Sequence, residues 1–209
     1  MDSVIEAFIG RWQEHLVDAD RQMLAPYLEP VIDTADDDDH DETRGWYALD
    51  WLVRVHAPAW LELAGLPASA AELRALPKLR AASAAASALP SLEKVRDLVG
   101  ACLDTSWDAA KDPAKDAAEK ALGVAGLPAA MDVARTTTGG MRIVVAAASI
   151  ARTASQIVAW QAGRAATVRA DWTLSWEAAT RSLAPTRTRL QHSALRLLEK
   201  MIDPTREPR

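Results

Sequence analysis

From Ile143 to Leu183 the chain repeats itself at steps of three and four residues: Ile143, Ala147, Ile150, Ala154, Val158, Gln161, Ala165, Val168, Trp172, Trp176, Ala179 and Leu183. That spacing places all twelve on one stripe of an α-helix, whereas a strand, with its period of two, would scatter them over both faces. A single helix of this span, rising about 1.5 Å per residue, would be about 60 Å long, against a small-domain diameter of roughly 30 Å. A break is therefore expected, at Gly163 or in the region of Ala170 and Asp171. Small residues up to Ala165 permit close approach of a neighbouring backbone, while Trp172 and Trp176 call for a wider gap. Gln161, in the middle of the stripe, is expected as a buried amide, which costs about 1–3 kcal/mol if it finds no partner.

Composition extends this reading to the whole chain. Alanine supplies about a fifth of the 209 residues and aromatics only 5%, an excess of the best helix former over the residues that favour sheets. The expected fold is all-α, a single domain over residues 1–209 forming a multi-helix bundle with a long, broken, alanine-rich helix near 141–183. Eight of the eleven aromatic residues are Trp, so most of the bulky core volume carries an N–H that needs a partner.

Upstream, the spacing predicts a first helix over 2–24 ended by Pro26, and a strongly helical stretch over 44–64 with Trp46, Val53 and Trp60 on one face and His56 beside them. Pro58 should kink or split that helix, and Gly65 should stop it. Ser69 to Glu72 reads as a capping box. Residues 78–89 read as a weak helix or a connector, with Pro90 starting a firmer helix. Short helices over 115–122 and 127–135 follow, Pro185 restarts a last one, and 204–209 should fray.

Charge is uneven: residues 1–60 carry a net −10, residues 61–130 a net −1 and residues 131–209 a net +6. Much of the acidity lies in 33–43, expected as an exposed loop because it repels itself and has little to bury. Its register fails as a calcium loop, since the sixth and twelfth positions counted from Asp33 are Asp38 and Arg44, and from Asp36 are Asp41 and Tyr47. No metal or cofactor is expected. The lone Cys102 is read as a small buried hydrophobe. The first residues lack the pattern of a signal peptide, and the run from Ile143 to Trp160 is too polar and alanine-rich for a membrane span, so a cytoplasmic location is expected.

Three stretches carry a resemblance: Asp50 to Leu66 (DWLVRVHAPAWLELAGL), Ala71 to Pro77 (AELRALP), and Leu183 to Ile202 with its LAPT start and LLEKMI end. They resemble a group of uncharacterised alanine-rich helical proteins of high-GC bacteria whose middle carries Trp-Asp-Ala-Ala repeats, present here as Trp107 to Ala110 and, in altered form, Lys115 to Ala118 and Trp176 to Ala179. The resemblance spans about a quarter of the chain, implies a shared helical fold and transfers no site.

No Gly-x-Ser-x-Gly or His-Glu-x-x-His motif and no Cys/His pairing is present, so no catalytic residue is nominated and the balance leans away from an enzyme. Gly139 and Gly140 before a helix read as a capping turn rather than an anion site. The arginines of the carboxy-terminal third scatter around their helices and the net charge is −5, which argues against nucleic acid. Two readings remain open. In the first the chain binds another protein, through its acidic amino-terminal third or an exposed Trp surface. In the second a small molecule occupies a pocket lined by Trp46, Trp60, Trp172 and Trp176, with His56 or Gln161 as the polar anchor. Self-association is compatible with either.

Overall fold

The computed structural model describes residues 3–32, 40–103, 111–166 and 171–204. These residues are helical almost throughout, with no strand among them. The helices in chain order are α1 (Ser3–Gln13), α2 (Asp18–Arg21), α3 (Ala25–Ile32), α4 (Asp41–Trp51), α5 (Ala57–Leu63), α6 (Pro67–Arg74), α7 (Ala82–Cys102), α8 (Lys111–Val124), α9 (Leu127–Thr138), α10 (Met141–Ala166) and α11 (Trp172–Ile202).

The expected break in the long stripe falls at the second of the two places. Helix α10 ends at Ala166, and α11 starts after Asp171, whose side chain accepts the Leu174 N–H at 3.0 Å as an N-cap. Helix α10 is the axis of the fold, packing against α5, α7, α8, α9 and α11. By length and mean hydropathy α10 could cross a bilayer, yet 67% of its most apolar window is buried among the other helices. Alanine makes this possible, because a helix faced with methyl groups can be surrounded closely on several sides. Gly163 shows the limit of that closeness: a Cβ there would lie 3.2 Å from the Ser175 carbonyl oxygen of α11.

Several expected boundaries move, for reasons that lie with proline. Pro26, Pro58, Pro67, Pro113 and Pro128 all fall in first turns, where the missing N–H costs nothing. The helix predicted over 2–24 therefore breaks earlier, at Glu14 to Leu16, and Pro26 opens α3 instead of closing α1. Helix α6 likewise begins at Pro67, so Ser69 is a buried helical residue rather than a cap. Pro90 and Pro185 sit inside α7 and α11 instead of starting new helices. Buried residues flank each of them, Ala88 and Leu92 in α7 and Leu183 and Thr186 in α11, and this packing on both sides offsets a defect of about 3 kcal/mol.

Pro58 has a more local consequence. Its ring would strike the carbonyl of Arg54 in a regular helix, and the chain widens into a π turn over Leu52–His56 in which Ala57 N–H reaches back to the Leu52 carbonyl. Beyond it, Gly65 takes φ +76° and Leu66 N–H returns 2.9 Å to the Leu61 carbonyl, a glycine stop as expected.

Of the acidic segment, residues 33–39 lie outside the described residues. Asp41 and Glu42 form the first turn of α4 rather than the end of a loop, where carboxylates favour the helix dipole. Cys102 is exposed on the last turn of α7, because the buried stripe of that helix passes through Val95 and Val99.

Candidate functional site

The face predicted around His56 forms, and it is part of the core. Trp46, Leu49, Leu52, Val53, His56 and Trp60 are all buried, and His56 has no solvent exposure at all. The His56 Nε2 accepts the Trp60 indole N–H at 3.4 Å, and the Trp51 ring lies 4.9 Å from the imidazole. The Nδ1 has no hydrogen-bond partner among the described residues. Burial alone pushes the imidazole down from 6.5 to about 3, so it is neutral at physiological pH. Cavities of about 610, 270 and 160 Å³ open elsewhere, and none of them is lined by His56 or Trp60.

The other nominated residues do not converge on it. Trp46 borders the 270 Å³ cavity at the start of α10 and donates its N–H to Glu42. Gln161, expected as a buried amide, is exposed. Burial in the last turns of α10 passes instead to Ala159, Trp160 and Gly163, and Gly163 is the residue that meets α11. Trp172 is 54% exposed and stacks on Trp176, with ring centroids 6.2 Å apart and planes 9° from parallel. Trp176 lies at the contact of α8 with α11, its N–H on Asp116, whereas Trp172 faces solvent. They lie side by side at the first turns of α11, and no cavity named above holds more than one of the six nominated residues.

A second site went unread in the sequence. The 610 Å³ cleft lies between α1, α8, α9 and α10. Its floor is apolar, formed by Leu122, Leu127, Pro128 and Met131, and its walls are charged. Arg11 pairs with Glu14 and, at 3.3 Å, with Asp132. Arg152 donates through Nε to Glu119 at 2.7 Å. On the rim, Asp116 accepts the Trp176 indole N–H at 3.0 Å, and the Lys120 ammonium lies 5.3 Å from the centre of the same ring. His15 packs against Gly123, where any Cβ would stand 2.6 Å from its Nδ1.

Compared with protein-family models, curated proteins and solved structures, the chain matches none.

Chemistry must therefore be read from the side chains alone. Among the described residues no group of three or more His, Cys, Asp or Glu side chains has the arrangement of a metal site. The sealed His56 cannot exchange a proton with a substrate it cannot reach, so it is a core residue that orients Trp60. What the surface does offer is a pair of stacked indoles beside a cleft of mixed charge. The linear sequence hides the cleft because its walls come from four helices: Arg152 and Glu119 meet across the fold, and each alone reads as an ordinary surface charge.

Proposed function

We propose that this chain is a non-enzymatic helical protein that acts by binding another protein, with the first turns of α11 as its contact surface. The observation that carries the reading is the exposure of large apolar groups there: Trp172 at 54% and Leu174 at 50%, with Trp176 stacked on the first. Tryptophan is the residue most enriched where binding energy concentrates, since a rigid ring buries much area at little entropic cost. The acidic amino-terminal third supplies long-range attraction, with a net −10 over residues 1–60 that favours a partner bearing a basic patch.

The test is affinity capture from the organism that makes the chain, comparing the wild type with Trp172→Glu and with Leu174→Glu. Both positions are exposed, so both variants keep the helical circular dichroism of the parent. A specific partner retained by the wild type and lost by both variants is the expected result. A partner held equally by all three would place the contact elsewhere, and no specific partner in any arm would overturn the reading.

A further inference from the structure

The geometry points to the cleft between α1, α8, α9 and α10 as a binding site for a small organic monocarboxylate with an apolar body. Its volume of about 610 Å³ is that of a small-molecule site, and its base is a patch of Leu122, Leu127, Pro128 and Met131 ringed by charge.

The sign of the ligand follows from which polar groups are already engaged. The carboxylates are occupied: Glu14 by Arg11, Asp132 by Arg11 and Arg135, Glu119 by Arg152, and Asp116 by the Trp176 N–H. The donors are not. Arg152 spends Nε on Glu119, which leaves the terminal nitrogens of the guanidinium, and Lys120 rests on an indole face with no carboxylate partner among the described residues. Free guanidinium and ammonium donors over an apolar floor suit a carboxylate, which a guanidinium binds through two parallel hydrogen bonds.

The charge balance limits the ligand further. Arg11, Lys120 and Arg152 face Glu14, Asp116, Glu119 and Asp132, one carboxylate more than cations. That surplus repels any anion, so binding rests on short-range hydrogen bonds from the two open cations, and the second charge of a dianion such as a phosphate monoester adds repulsion without adding donors. His15 also lines the cleft, and its Nε2 is shielded from solvent with no hydrogen-bond partner among the described residues.

Titration of the full chain with 3-phenylpropanoate tests the proposal, with 3-phenylpropanamide and phenyl phosphate as the neutral and dianionic probes. The readouts are calorimetry and the tryptophan fluorescence of the chain, to which Trp176 contributes from beside the lining residues Asp116 and Lys120. Saturable one-to-one binding of the carboxylate is expected, at least about tenfold tighter than either analogue and at least about tenfold weaker in Arg152→Gln and in Lys120→Gln. Both side chains are substantially exposed or unpaired, so the variants stay folded, which circular dichroism checks. Lys94→Gln, on α7 and outside the cleft, leaves the affinity unchanged. Absence of saturable binding, equal binding of the amide, or indifference to Arg152→Gln and Lys120→Gln in folded protein would overturn it.

Discussion

His56 is held neutral by burial alone, and that has a measurable cost at acid pH. Above about pH 6.5 the imidazole is uncharged in both folded and unfolded chain, and it contributes no pH dependence. Below that value the unfolded chain takes up a proton that the folded chain, with its imidazole at about 3, refuses. Stability is therefore lost as pH falls from about 6.5 towards 3, by about 1.4 kcal/mol per unit from this residue. Urea unfolding at pH 7.5 and pH 4.5 should show a decrease of which roughly 2–3 kcal/mol vanishes in His56→Leu, and an identical decrease in both proteins would refute the assignment. Its place on the Trp46 and Trp60 face was legible from spacing. The exposure of Gln161 was not, because the stripe continues in sequence while the neighbours that bury α10 change from turn to turn. Arg44 illustrates the same limit: a fully buried arginine donates through Nε to the Met201 carbonyl at 2.9 Å and so ties α4 to the end of α11. Arg44→Leu, which leaves that carbonyl unpaired, should cost about 1–3 kcal/mol in a thermal or urea melt.

Between elements, glycine decides how closely helices approach, and two glycines should respond with opposite sign. Gly45 of α4 faces α9 so closely that a Cβ would fall 1.6 Å from the Thr137 Oγ1, a hydroxyl already bonded to the Val133 carbonyl. Gly45→Ala must force the helices apart and should destabilise by about 1–3 kcal/mol. Gly10 of α1 has nothing within 4 Å of its missing Cβ, and Gly10→Ala should stabilise by about 0.5–1 kcal/mol through helix propensity. Melting both variants beside the wild type checks the pair, and a shift of the same sign in both would contradict the packing described. Periodicity revealed most of these helices; their ends were read less well. Proline gives the same local signal whether it opens a helix, as Pro67 does, or is carried inside one, as Pro90 and Pro185 are, and tertiary burial on either side makes the difference.

Among the described residues, one hydrophobic cluster takes members from every helix except α2, from Val4 in α1 to Met201 in α11. Trp12 fastens the amino-terminal end of that cluster: it is fully buried, meets Phe8 edge-on, and donates its indole N–H to the Val124 carbonyl at 2.9 Å. The chain exceeds the length at which all-or-none unfolding is routine, so cooperativity has to come from contacts of this kind between distant segments. If they suffice, urea unfolding followed by Trp fluorescence and by far-ultraviolet circular dichroism will trace one transition. Trp12→Ala should then lower the stability seen by both probes equally, by about 3–5 kcal/mol. Loss confined to the fluorescence signal, with the helical signal of the remaining chain unmoved, would mean that α1 melts by itself and that the cleft loses the wall carrying Arg11 and His15 before the rest of the fold gives way.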